Sequence, residues 1–158
     1  MDRAIVIHPH FPQGRRIITV SDIHGNLPFF QALMAQIQLT PEDILVLDGD
    51  MLEKGQDSLA LLRRLMELSR THTVYPICGN CDGLVLRFFE TDALDERFFS
   101  FYLPQHPEST LRQLAREEGF EQLDDLPRLR RDLRAAFPDI WDWLRGLPTI
   151  LETEHLVF

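Results

Sequence analysis

The chain has 158 residues, with 16 Lys+Arg against 25 Asp+Glu and a formal charge of −9. Its 44% hydrophobic and 26% charged content is a globular balance, which excludes a disordered or collagen-like chain. The acidic excess argues against stable nucleic-acid binding, no apolar run approaches the roughly 20 residues of a membrane helix, and two cysteines are too few for a disulfide framework.

Residues 16–20 are β-branched and apolar and read as a buried strand. Residues 21–26 form a polar loop. Residues 27–39 carry Phe30, Leu33, Met34 and Ile37 at the spacing of a helix face. Residues 40–43, with Pro41, are turn chemistry. A second strand is predicted at 44–47 and a second loop at 48–56. Asp57 or Ser58 caps a helix with Leu61, Leu62, Leu65 and Leu68 on one face. A third strand is predicted at 73–77, weakened at its end by Pro76. A third loop follows at 78–83, and a helix opens at Leu84.

Strand, loop and helix thus alternate three times, which predicts an α/β fold with parallel strands and crossover helices. The second half differs. Residues 92–147 read as a helical insertion or cap within a single domain of 1–158, with helices at 109–118, 123–137 and 139–147. Residues 149–151 and 155–158 then read as two strands joined by a turn. The N-terminus has too short an apolar stretch for a signal peptide. The expectation is a soluble, cytoplasmic protein with neither membrane nor nucleic acid among its partners.

The three loops read Ser21-Asp22-Ile23-His24-Gly25-Asn26, Asp48-Gly49-Asp50-Met51-Leu52-Glu53-Lys54-Gly55 and Gly79-Asn80-Cys81-Asp82-Gly83. All three lie at the carboxyl edge of the predicted sheet, where ligands of open α/β sheets bind. They bring carboxylates, an imidazole and an amide together, and such donors suit manganese, iron or zinc. Asp22 and His24 are two apart, so an extended segment points both at one ion. Lys54 is the single lysine beside 15 arginines.

Asp-x-His-Gly, then Gly-Asp-x-x-x-x-Gly, then Gly-Asn-x-Asp, each after a strand, resemble the calcineurin-like metallophosphoesterases, on the side of the serine/threonine protein phosphatases. The resemblance covers 16–90 and not the helical stretch. It implies an αββα sandwich and a two-metal phosphoric ester hydrolase, a phosphatase. Asp22 and His24 would bind the first of two divalent ions (manganese, iron or zinc). Asp50 would bridge both, and Asn80 would bind the second. Two metals roughly 3.5–4 Å apart polarise phosphoryl oxygens and turn a bridging water into hydroxide. The implied substrate is a phosphorylated small molecule, nucleotide or phosphoprotein.

Three departures stand out. Glu53-Lys54-Gly55 replaces Asp-Arg-Gly, so Lys54 becomes a point-charge phosphate contact. Cys81 replaces the His that serves as the leaving-group acid, and a thiol of pKa about 8.5 is a poor proton donor at neutral pH. The Gly-Asn-Cys-Asp spelling resembles the phosphodiesterase branch, so a phosphodiesterase or dinucleotide polyphosphate hydrolase is an alternative. The further His ligands of the family are not found after Asn80. His72 and His155 fall at the wrong ends of their strands, so the remaining histidines are expected beyond Phe158 and the chain reads as an N-terminal portion.

Other readings compete at individual residues. Cys78-Gly79-Asn80-Cys81 is a Cys-x-x-Cys between strand and helix, the context of a redox thiol pair lowered by a helix N-terminus. A non-catalytic relic of the fold is a third reading. Asp48 caps or is solvated, and Asp82 caps the following helix. His8, His10 and His106 are surface residues. Trp141 and Trp143 face different sides of one helix, and the arginines 128, 130, 131 and 134 form a solvated face.

Overall fold

The computed structural model describes residues 4–90, 93–120 and 123–158. In chain order the elements are β1 (Val6–Ile7), β2 (Ile17–Val20), α1 (Leu27–Ile37), β3 (Ile44–Asp48), α2 (Ser58–Thr71), β4 (Thr73–Ile77), α3 (Asn80–Glu90), α4 (Ala93–Gln105), α5 (Thr110–Glu117), α6 (Leu126–Ala136), α7 (Pro138–Arg145) and β5 (Ile150–Leu151). The expected α/β class is the one observed. Asp92, where the helical stretch was expected to start, lies outside the described residues.

Three parallel strands form a sheet in the order β2-β3-β4. Ile18 pairs with Leu45 and Leu45 with Val74, so the apolar runs lie in one register. The alternation of side chains then sorts them onto two faces. Leu45 and Leu47 join the main core with Ile18, Val20 and the leucines of α2. Ile44 and Val46 turn the other way and pack with Ile77 and Leu151 in a second, smaller cluster. The central strand β3 is thus buried on both faces, as parallel strands are. Pro76 is tolerated because β4 has β3 on one side only.

The helices follow their patterns with local differences. Leu61, Leu62, Leu65 and Leu68 of α2 are buried as predicted. Asp57 sits at its N-cap without a side-chain cap bond, and Ser58 is buried. In α1 only Phe30 is buried, and Leu33 turns to solvent at 37% exposure. Among the later helices, α5 packs on α2, while α6 and α7 pack on α3. Both Trp141 and Trp143 are half-buried against the core.

Three expectations are corrected. Helix α3 begins at Asn80, not near Leu84, because two carboxylates supply what its N-terminus needs: Asp82 accepts from Gly79 N–H at 2.9 Å and Asp50 from Cys81 N–H at 2.9 Å. The N-terminal segment contributes β1, which pairs in parallel with β5. Of the predicted strand at 155–158, only an isolated bridge between Glu152 and Val157 forms. The two-residue β1 carries too short an alternation to read from sequence, whereas the apolar run at 155–158 was read as a strand and pairs only at Val157.

Candidate metal centre

The pairing of β2 with β3 continues past the ends of both strands. Asp22 N–H donates to Gly49 O at 3.2 Å, His24 N–H to Asp50 O at 3.0 Å and Gly25 N–H to Met51 O at 2.9 Å. The first polar loop is thereby fastened along the second. Asp22 and His24 are not extended, contrary to the reasoning from their spacing: their φ angles are 55° and 49°. The close pair still forms, with Asp22 Oδ1 3.4 Å from His24 Nε2.

Asp50, Glu53 and Lys54 also have positive φ, at 52°, 66° and 65°. Five of the six such non-glycine residues among those described therefore belong to these two loops. Each left-handed L-residue costs about 1–2 kcal/mol, and strain of this kind gathers where side chains must be aimed. Glycine is required beside them. A Cβ on Gly79 would strike Asp50 N and Oδ1, and one on Gly55 would strike His24 O.

The residues fit a divalent cation. His24 Nδ1 lies 3.3 Å from Leu52 O, so in the neutral ring it holds the proton and leaves the lone pair on Nε2. The ammonium of Lys54 lies 2.9 Å from that Nε2 and would have to yield it to a metal. Ligand atoms of His24, Asp50 and Cys81 lie within 4.8 Å of one another. The Asn80 amide lies against Asp50, its nitrogen 3.2 Å from Oδ2 in the orientation that satisfies both groups. Binding a metal through Asn80 requires the amide oxygen to turn inward.

Two acidic residues from these loops support the site from below. Asp82 is fully buried and accepts from the backbone N–H groups of Met51, Leu52 and Gly79. Burial pushes its carboxyl up, and those three donors oppose the shift. Its expected role as a helix cap is present, but its main work is to hold the loop that carries Asp50. Glu53 is only 3% exposed and faces away from the sheet edge. It accepts from Thr110 N–H at 3.0 Å and from the Tyr102 hydroxyl at 2.7 Å. Gln113 reaches the same loop, donating to Gly55 O at 3.0 Å and accepting from Leu59 N–H at 3.2 Å. Helices α4 and α5 are thus tied to the Glu53-Lys54-Gly55 segment. Sequence reasoning missed Tyr102, Thr110 and Gln113, since no motif or spacing marks them.

The thiols differ from a redox pair. Burial, with Asp82 and Asp50 nearby, pushes Cys78 up to about 12, and burial with Asp50 pushes Cys81 up to about 11. A helix N-terminus was expected to lower them, but desolvation outweighs it; reactive thiols are shifted the other way. Asp48 is exposed at the end of β3. His72 caps the end of α2 before β4, and His155 lies in the exposed turn before the Glu152–Val157 bridge. Neither was expected to reach the loops.

A family model described as calcineurin-like phosphoesterase matches residues 15–157. The symmetrical bis(5'-nucleosyl)-tetraphosphatase of Pectobacterium atrosepticum is 42% identical over 64 residues, 40% of this chain and 22% of that protein. Serine/threonine-protein phosphatase 2 of Escherichia coli is 35% identical over 78 residues, 49% of this chain and 34% of that protein. A solved structure provisionally named a diadenosine tetraphosphatase shares the fold with a TM-score of 0.58 at 24% identity, covering 96% of this chain and 50% of that one. The matched stretches therefore span about a third or less of these curated relatives and half of the solved structure. With three loops carrying the motifs and a model matched over nearly the whole length, the chain belongs to the calcineurin-like phosphoesterase family.

Proposed function

We propose that the chain carries the first ligands of a divalent-metal-dependent phosphoric ester hydrolase. The observation that supports this best is the fastening of Asp22-Ile23-His24 along Gly49-Asp50-Met51, which gathers three donors of the right chemistry in strained, fixed positions. Asp22, His24, Asp50 and Asn80 are the residues that would hold the divalent ions. When bound, such a pair supplies Lewis acidity to the phosphoryl group and an activated water. Manganese, iron and zinc all suit these donors.

The chain's own groups have distinct tasks. Leu52 O orients His24 through Nδ1, and Cys81 N–H steadies Asp50. Lys54 places one positive charge beside His24 and neutralises an oxygen of the substrate. Helices α4–α7 act as a cap over residues 92–147, tied to the site through Glu53. The substrate is a phosphorylated small molecule, nucleotide or phosphoprotein.

Cys81 occupies the position of the leaving-group acid, but its thiol at about 11 is a weak one. This favours a second reading, hydrolysis of a dinucleotide polyphosphate. A phosphate leaving group has a second pKa of about 6 and departs without a donated proton. A serine alkoxide does not.

Metal stoichiometry on the chain after loading and dialysis tests the first reading. Two ions per chain would mean that the residues present close the site, and one that the chain carries only its first ligands. Asp50→Asn is expected to lose whatever the wild type binds, and unchanged occupancy in that variant overturns the assignment. Release of a nucleoside phosphate from a dinucleotide tetraphosphate, against release of inorganic phosphate from a phosphoserine peptide, then separates the two substrate classes.

A further inference from the structure

Cys81 has a use other than acid catalysis. Its sulfur, a nitrogen of His24 and a carboxylate oxygen of Asp50 lie within 4.8 Å of one another, and Cys81 is the most buried of the three residues. Its position is fixed by its own N–H on Asp50 Oδ1 at 2.9 Å and by its place in the first turn of α3. In the orientation that satisfies Asp50, the oxygen end of the Asn80 amide lies 3.6 Å from the sulfur, so the thiol faces the same polar group as Asp50 does. Tetrahedral zinc, with bonds of about 2.3 Å to sulfur and 2.0–2.1 Å to nitrogen, holds such donors about 3.5 Å apart. Side-chain movement of about 1 Å brings the three donors to that spacing.

We propose that Cys81 is a further protein ligand beside His24 and Asp50, and that this nitrogen, oxygen and sulfur set selects a thiophilic ion such as zinc(II) or cobalt(II) over manganese(II). The proposal rests on the metal-site reading above and goes beyond it, since the family resemblance gives the Cys81 position no metal. Soft thiolate ligands favour such ions, whereas carboxylate and amide oxygens alone do not discriminate against manganese. Binding exchanges the S–H proton for a metal–sulfur bond, and the proton passes to solvent. Cys78 does not belong to the cluster; its sulfur lies 3.5 Å from Gly79 O.

The test is optical and needs no substrate. The metal-free chain is titrated with cobalt(II), and bound metal is counted separately. The wild type and Cys78→Ser are expected to show a near-ultraviolet thiolate-to-cobalt charge-transfer band, and Cys81→Ser to lose it. Cys81→Ser is also expected to lose at least about tenfold in cobalt affinity, the loss that even an outer partner of a ligand produces. Cobalt bound to the wild type without that band overturns the proposal and leaves the metal site standing. A band that survives Cys81→Ser overturns it in the same way. If the wild type binds neither cobalt nor manganese, the metal site itself is wrong, and the proposal falls with it. The wild-type spectrum decides even if Cys81→Ser fails to fold.

Discussion

The hydroxyl of Tyr102 donates to the Glu53 carboxylate at 2.7 Å across 49 positions of sequence, joining α4 to the loop that presents Lys54. Burial and the neighbouring carboxylate hold the Tyr102 phenol well above its ordinary range, so the hydroxyl keeps the proton it donates. The ring is also held by stacking on His106, 4.1 Å between centroids, and on Phe98. Tyr102→Phe therefore removes the hydrogen bond and keeps the stack. A hydrogen bond to a charged group contributes about 1.5–3 kcal/mol, and a loss of that size is expected in urea unfolding. A change under about 0.5 kcal/mol, the range of an inert surface substitution, would show that Glu53 does not depend on it.

The candidate site was far more legible in the sequence than the support beneath it. Asp22, His24, Asp50 and Asn80 could be singled out as candidates because they lie in short motifs directly after apolar runs, and each run is a strand of one sheet. The strands were readable because β3 is buried on both faces and leaves no polar position to blur the pattern. Glu53 was visible in its motif, but its partners Tyr102 and Thr110 were not, since both partners come from helices whose docking no local pattern encodes. The start of α3 was misplaced for a related reason. Gly79-Asn80-Cys81-Asp82-Gly83 has loop composition, and the long-range bond from Cys81 N–H to Asp50 joins the local Asp82 cap in turning it helical. The identity of the metal is not legible either, because donor types alone suit several ions.

Arg16 and Asp43 make an acid-sensitive tie in the fold. Arg16 Nε lies 2.8 Å from Asp43 Oδ1 and Nη2 2.6 Å from Oδ2, while Thr40 N–H donates to the same carboxylate at 2.8 Å. Arg16 also reaches Ile37 O at 3.1 Å, so the pair joins the end of α1 to the starts of β2 and β3. The guanidinium foremost, then Thr40 N–H, holds the Asp43 carboxyl well below the usual range. The folded state thus keeps this group ionised where the unfolded chain, at about 3.9, has taken up a proton. The stability it contributes is complete above that value and is lost as pH falls through and below it. Urea midpoints measured from pH 6 to pH 3 are expected to fall less steeply in Asp43→Asn than in the wild type. Parallel curves would show that Asp43 titrates normally in the fold.

Ser58 presents the opposite case, a polar atom whose removal costs nothing. Its Oγ is buried, has no hydrogen-bond partner and faces Gly25 at the back of the first loop. A buried, unpaired hydroxyl is left without its water and gains nothing in return. Ser58→Ala is expected to leave the urea midpoint unchanged or raise it, with metal binding intact. A loss of more than about 1 kcal/mol, the worth of an ordinary hydrogen bond, would mean that the hydroxyl bonds a group the side-chain geometry does not reveal.

Gly79 and Gly119 provide a matched pair that separates damage to the site from damage to the fold. Gly119 ends the α5 segment at φ 74° with open space around a would-be Cβ, so alanine there is strained but touches nothing. That strain costs about 1–2 kcal/mol. At Gly79 the backbone carries no positive φ, but a Cβ would meet the backbone nitrogen and Oδ1 of Asp50. Overpacking of this kind costs about 1–3 kcal/mol, so the two variants are expected to lose similar stability. Their metal affinities should differ. Gly79→Ala displaces the Asp50 carboxylate proposed as a ligand and is expected to weaken manganese or cobalt binding by at least about tenfold. Gly119→Ala should bind as the wild type does. Equal metal affinity in the two variants, at equal stability, would mean that Asp50 is not a ligand.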